Sequence, residues 1–309
     1  MHCYEMCLSY YRKYYDNEYY DNLKSFSLNT NNLNAPFCGL NKYNPPTVMP
    51  YRVDTNGIYL EPDTRKPNLR IVGGFETTKW QYPWIVSLNK LVAGKYVHFC
   101  GGAIIHDYHI LTAAHCADNF IGKESNLLIK IGFHNLNKYE GITMKVAKIL
   151  IHEEWDRESN INDIAIYRTQ QPIPYKLQPN LHNYQINSIC LPKSDHIYPS
   201  AAIVAGWGQL GKDSHLSDKL MNIVVPQLSQ ELCQRQYDTL AEVNDNMICF
   251  GGYERHDTCY GDSGGPLMEK IDGRFQVIGI VSFGIPCAIK LYPTIYTKVS
   301  NYVDWIYDK

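Results

Sequence analysis

From Trp80 to the C-terminus, apolar residues come in short runs, each closed by Gly, Pro, Asn or Asp. That punctuation constrains the fold more than any other feature, because it leaves little room for long helices. Residues 84–88, 102–105, 127–131, 146–151, 163–167, 201–205 and 276–282 read as strands. Many short strands separated by turn signals predict an all-β protein built as barrels or a sandwich. The exceptions are a C-terminal helix over 299–307, where Val299, Tyr302, Val303 and Ile306 share a face, and a short helix near 229–236.

The first 70 residues differ in character. They are rich in Tyr and Asn, then in Pro (Pro36, Pro45, Pro46, Pro50, Pro62 and Pro67), without sustained periodicity. They read as a poorly structured linker or pro-segment, with Cys3 and Cys7 as the trace of a truncated disulfide module. Residues 71–309 then form the folded domain. The change comes at Arg70-Ile71-Val72-Gly73-Gly74, where a basic residue in a Pro-rich, accessible run precedes an apolar pair. Ten cysteines without a CxxC pair argue for disulfides and an oxidising, extracellular compartment, although 1–11 carries no apolar signal core. A net charge of −2 implies no polyanion-binding face, and no apolar run is long enough to span a bilayer.

One stretch carries candidate chemistry: Asp257-Thr258-Cys259-Tyr260-Gly261-Asp262-Ser263-Gly264-Gly265-Pro266. Glycines around a hydroxyl allow backbone N–H groups to converge on an anion, such as the oxyanion formed when a serine attacks a carbonyl. Alone, Gly-Asp-Ser-Gly is an ordinary surface turn, and Ser263 stays a weak nucleophile until a base takes its proton. The chain supplies a candidate base in Leu111-Thr112-Ala113-Ala114-His115-Cys116 and a candidate orienting carboxylate in Asn160-Ile161-Asn162-Asp163-Ile164. The order His115, Asp163, Ser263 is one of the known orders of a Ser-His-Asp triad. No histidine sits in an HExxH pattern, so a zinc site is not suggested.

On these motifs, together with Ile71-Val72-Gly73-Gly74, Gly206-Trp207-Gly208 and Tyr296-Thr297-Lys298-Val299, the chain resembles the trypsin/chymotrypsin-like serine endopeptidases from Ile71 to Lys309. The resemblance implies two six-stranded antiparallel barrels with a C-terminal helix and the triad between the barrels. It implies His115 as general base and acid, Asp163 as its orienter, Ser263 as nucleophile, and the Gly261 and Ser263 N–H groups as oxyanion hole. Cleavage after Arg70 would free the Ile71 amine to pair with Asp262. Asp257, Thr258, Ser282, Gly284 and Thr294 would shape the primary specificity pocket. The family's disulfides fall on Cys100–Cys116, Cys233–Cys249 and Cys259–Cys287, with Cys190 joined to the pro-segment through Cys38. The implied partners are protein or peptide substrates, an upstream activating protease and protein protease inhibitors, with no cofactor and no nucleic acid.

Three departures from the family pattern matter. Phe133 stands where the family's calcium loop has its first carboxylate, so no metal is expected there. Thr294 replaces a glycine usual in the pocket wall. Tyr260 and Asn160 occupy positions lining neighbouring subsites. The reading that follows is a secreted zymogen of a serine endopeptidase cutting after Arg or Lys. The alternatives are a protease with a non-basic preference imposed by Thr294, and a non-catalytic homologue acting as a binding protein.

Overall fold

The computed structural model of the chain describes residues 38–41, 52–53, 59–60, 74–178, 183–211, 214–252, 258, 260–284 and 292–309. Arg70, Ile71, Asp257 and cysteines 3, 7, 259 and 287 lie outside the described residues.

The first barrel is built from β1 (Ile85–Val92), β2 (Lys95–His106), β3 (His109–Thr112), β4 (Leu127–Ile131), β5 (Ile142–Ile151) and β6 (Ala165–Thr169), and closes in the order β1-β2-β3-β6-β5-β4. The second comprises β7 (Ala201–Gly206), β8 (Met221–Leu228), β9 (Met247–Gly251), β10 (Pro266–Ile271), β11 (Arg274–Phe283) and β12 (Pro293–Lys298). Its order is β7-β10-β11-β12-β9-β8, and β7 pairs with β8 to close it. All pairings within both barrels are antiparallel.

Alternation explains the simple strands: in β4, Leu127, Ile129 and Ile131 are buried and the two residues between them only partly so. Strands at the seam between barrels lose that alternation, because both faces are covered. β1 begins with five consecutive buried residues. Just before it, the fully buried Trp84 meets Phe275 of the second barrel at 5.3 Å between ring centroids, and Tyr82 meets Phe275 edge-on at 5.7 Å. Aromatic pairs at such distances add to the area they bury.

Helix α1 (Gln230–Tyr237) starts at Ser229, whose side chain accepts the Leu232 N–H. The C-terminal helix begins as a 3-10 turn (Val299–Tyr302) and continues as α2 (Val303–Tyr307), with Val299, Tyr302, Val303 and Ile306 buried. One sequence expectation needs correction. The strand expected from 163 starts at Ala165, because Asn160 and Asn162 take positive φ and Asp163 spends its carboxylate on other bonds. Ahead of the first barrel, residues 38–41 are held against the folded domain. Cys38 is bonded to Cys190; Gly39 N–H donates to Ser188 O at 2.8 Å and Phe275 N–H to Gly39 O at 2.9 Å. Gly39 has φ +66°, and a Cβ there would collide with the Phe275 backbone. Cys100–Cys116 and Cys233–Cys249 are the other disulfides among the described residues. No helix among the described residues is long and apolar enough to cross a membrane.

Candidate active site

Asp163 and His115 meet at the end of the first barrel. Asp163 is 1 % exposed, and its carboxylate is surrounded by donors. Oδ1 accepts the His115 backbone N–H at 2.9 Å, while Oδ2 accepts His115 Nδ1–H at 2.7 Å and the Ser282 hydroxyl at 2.5 Å. The backbone carbonyl of Asp163 accepts from Thr297 Oγ1 at 2.7 Å. A buried carboxylate is tolerable only when bonded this fully. The residue before it is fixed too: Tyr302 donates to Asn162 Oδ1 at 2.7 Å, and Asn162 Nδ2 donates to Glu154 O at 2.8 Å. Because the carboxylate takes Nδ1–H, the lone pair of neutral His115 lies on Nε2. Burial alone would lower the His115 pKa, but the charge and hydrogen bond of Asp163 outweigh it, and the imidazole titrates above its ordinary value.

The Ser263 turn is tied to the same corner. Gly101 N–H donates to Ser263 O at 2.8 Å, and Gly101 follows Cys100, which is bonded to the neighbour of His115, Cys116. Gly264 (φ +77°) presses on the strand that leads to His115, and a Cβ there would collide with Thr112 Oγ1. Gly261 has φ +97°, which also demands glycine. The Gly261 carbonyl lies 3.0 Å from His98 Nε2 and the Ser87 hydroxyl 2.7 Å from His98 Nδ1. A carbonyl can only accept, so Nε2 carries the proton and Nδ1 accepts from Ser87. Burial drives the His98 pKa down to about 4, which keeps this support neutral.

The Asp262 carboxylate lies against Gly206, at the end of β7, and Gly208. Its Oδ1 accepts the Gly208 N–H at 2.8 Å, and side chains at Gly206 or Gly208 would collide with the carboxylate. It lines a small recess, open in part to solvent, with Val204, Leu210, Met221, Ile223 and Thr258. The short strand Phe75–Glu76 pairs with Asn222 and Met221 at the edge of that recess, and Gly74 is buried just before it.

Of the proposed pocket residues, Thr258, Ser282, Gly284 and Thr294 are described. Thr258 Oγ1 and Thr294 Oγ1 lie 2.8 Å apart, and both residues are buried. A Cβ at Gly284 would stand 3.6 Å from Thr294 Oγ1, so the Thr294 side chain faces the segment that follows Ser282.

A sequence model of the Trypsin family matches residues 71–306. The chain belongs to the trypsin family. Chymotrypsin-C of Rattus norvegicus is 36 % identical over 79 % of this chain and 90 % of its own. Trypsin-1 of Astacus astacus is 35 % identical over 76 % of this chain and 98 % of its own. The clotting factor G beta subunit of Tachypleus tridentatus is 31 % identical over 77 % and 78 %. Two closed barrels, few helices and a C-terminal helix agree with a trypsin-like serine protease.

Residues 132–140, where trypsin-family relatives can carry a calcium loop, are organised around Glu140. Glu140 Oε1 accepts the N–H groups of His134 at 2.8 Å and Asn135 at 2.6 Å, and Oε2 pairs with Lys79 Nζ at 2.8 Å. Phe133 is buried beside them. A calcium ion takes six to eight oxygens, whereas this loop closes around one carboxylate already held by an ammonium, so the residues do not fit the ion. Sequence reasoning missed this Lys79–Glu140 pair, since the two residues are remote in sequence. It also missed the Ser87–His98–Gly261 support, which no local motif signals.

Proposed function

We propose that this protein is a secreted serine endopeptidase, made as a zymogen and activated by cleavage after Arg70. The observation that carries the reading is the fully bonded Asp163 carboxylate orienting His115, with the Ser263 turn anchored beside it. His115 Nε2 takes the Ser263 proton as the hydroxyl attacks the scissile carbonyl, then delivers it to the leaving amine. Asp163 holds the tautomer and stabilises the imidazolium. The Gly261 and Ser263 N–H groups receive the oxyanion, and one such donor lowers the barrier by about 3 kcal/mol. The new Ile71 amine enters the recess and pairs with Asp262. Peptide-library profiling of the chain cut after Arg70 tests activity and specificity together. Absence of cleavage would favour a non-catalytic binding protein on the same fold.

Cys38–Cys190 gives the activation model a visible consequence. The segment 38–41 is held by the disulfide, by the Gly39 bonds to Ser188 and Phe275, and by Arg274 Nη1 on Cys38 O at 3.1 Å. The cut protein should run as one species without reductant and as two with it. Separation without reductant contradicts the tether, which otherwise keeps any upstream module attached to the active enzyme.

Specificity rests on Asp257, six residues before Ser263, where trypsin-like enzymes place a carboxylate at the pocket floor. Arg or Lys at the cleaved bond would pair with it. Thr294 favours a second reading, in which its side chain, bonded to Thr258, narrows the pocket against long basic residues. A methylene-sized change in pocket shape is worth about 1–3 kcal/mol, whereas a buried charge without its partner costs about 3–5 kcal/mol, so the Asp257 charge decides. Thr294→Gly should raise kcat/KM on Arg substrates, and Asp257→Ser should remove the basic preference. Preference of the wild type for Phe, Leu or Ala would show instead that Thr294 sets the pocket.

A further inference from the structure

The loop that carries His115 holds a second carboxylate, which the triad does not use. His115 lies in the 3-10 turn Ala114–Cys116 and Asp118 opens the next one, Asp118–Phe120. Ala117 N–H donates to Ala114 O at 2.8 Å and Phe120 N–H to Ala117 O at 2.9 Å, so the two turns run on through Ala117. Side chains three residues apart eclipse in 3-10 geometry, which sets His115 and Asp118 on one side of the loop. The loop is anchored from the barrel by the fully buried Tyr167 of β6, whose hydroxyl donates to Cys116 O at 2.8 Å.

The Asp118 side chain is only 11 % exposed. Donors from the segment that leads to Asp163 crowd one of its oxygens. Arg157 Nε stands 2.8 Å, Arg157 Nη2 2.6 Å and Trp155 Nε1 3.4 Å from Oδ2. Arg157 Nη2 also donates to Asn119 Oδ1 at 3.2 Å, so one guanidinium joins both loops. Oδ1, in contrast, is shut off from solvent and takes no hydrogen bond among the described residues. A buried oxygen without a donor is costly, so its placement calls for a physical reason.

The Asp118 charge acts on groups it does not bond. Burial, and then Asp118, push the Tyr167 hydroxyl above its ordinary pKa. At His115, burial pulls the pKa down, while the charge and hydrogen bond of Asp163 and then the charge of Asp118 push it up. We propose that Asp118 is a positioning residue for the catalytic base, a second carboxylate that acts through His115 while Arg157 and Trp155 hold it in place. Its effect on rate rests on the serine endopeptidase reading; its effect on the ring does not. When His115 Nε2 takes the Ser263 proton, the imidazolium gains a counter-charge in addition to that of Asp163. Asp118 takes no proton itself, and the Arg157 guanidinium behind it limits its pull.

The test follows the His115 ring resonances against pH in the full chain, and kcat/KM against pH in the cut protein. Asp118→Asn keeps an oxygen for Arg157 and Trp155 and removes the charge. The His115 midpoint should fall and carry the acid limb with it. Activity on that limb, relative to the plateau, should rise about twofold or more, while the plateau itself falls severalfold. Thermal unfolding should stay close to that of the wild type. Asp118→Glu, which keeps the charge, should keep the midpoint near its wild-type value. Glu158→Gln, at an exposed position beside Arg157, should move neither midpoint nor limb. An unmoved His115 midpoint in folded Asp118→Asn, or an equal shift in Glu158→Gln, overturns the proposal. The ring titration reads His115 even in a protein that cleaves nothing, so this failure is distinct from failure of the proteolytic reading.

Discussion

Asp163→Asn is expected to lower kcat by about 10⁴-fold without unfolding the protein, the loss that the same change produces in a related triad protease. Both carboxylate oxygens of Asp163 accept hydrogen bonds, from His115 N–H, His115 Nδ1–H and Ser282. An amide has one accepting oxygen and one donating nitrogen. With its nitrogen toward His115, it forces the imidazole to carry its proton on Nε2, so Nε2 can no longer accept from Ser263. The same substitution removes the negative charge that raises the His115 pKa. The wild type should lose activity on the acid side as His115 protonates, at a pH above the ordinary histidine value, and the residual activity of the variant should titrate lower. The pH dependence of kcat/KM for both forms checks this. A loss smaller than tenfold, or an unshifted acid limb, would remove Asp163 from its assigned role.

Arg70→Gln is expected to leave the chain inactive after treatment with a trypsin-like activator. Asp262 faces a recess walled by Val204, Met221 and Ile223, with Gly206 and Gly208 against its carboxylate. A buried charge deprived of its partner costs about 3–5 kcal/mol. At 1.36 kcal/mol per tenfold, that is a deficit of roughly two to nearly four decades in the population of the ordered oxyanion turn. Asp262→Asn in the cut protein should show a similar loss, since the Ile71 amine then has no counter-charge. The amine has an ordinary pKa near ~8 that pairing raises. The proposed ion pair would therefore be intact below that raised value, and activity should fall as alkaline pH strips the proton. Active-site titration of cut, uncut and Asp262→Asn forms reads the effect. Full activity of uncut Arg70→Gln would disprove activation by cleavage at this bond.

The legible parts of the fold were those whose cause is local. Strands such as Leu127–Ile131, with alternating apolar residues, and the helix face of Val299, Tyr302, Val303 and Ile306 follow from periodicity alone. The hairpin strand His109–Thr112 is too short to show a period, and Met221–Leu228 contains Pro226, which reads as a breaker. Pro226 nonetheless lies opposite Ala201 within the ladder. Pro266 and Pro293 open their strands, where a missing N–H matters least.

The site shows the same division. His115, Asp163 and Ser263 stand in motifs that local sequence displays, and their mutual order pointed to the family. The Ser282 and Thr297 bonds to Asp163 span 119 and 134 residues, and only closure of the second barrel brings them there. The family resemblance implies a serine at 282 that bonds the triad aspartate, whereas it assigns Thr297 no such role. The Thr258–Thr294 hydroxyl pair likewise joins strand β12 to the turn before Gly261, a contact no spacing rule predicts.

The central claim is that Ser263 is an activated nucleophile once the chain is cut after Arg70. The direct measurement is the mass of the cut protein after exposure to a fluorophosphonate, with the adduct located by peptide mapping. The account predicts one phosphonyl group per chain, on Ser263, with none on uncut Arg70→Gln and none on Ser263→Ala. A cut, folded wild type that takes up no label, or carries it on another residue, would contradict it.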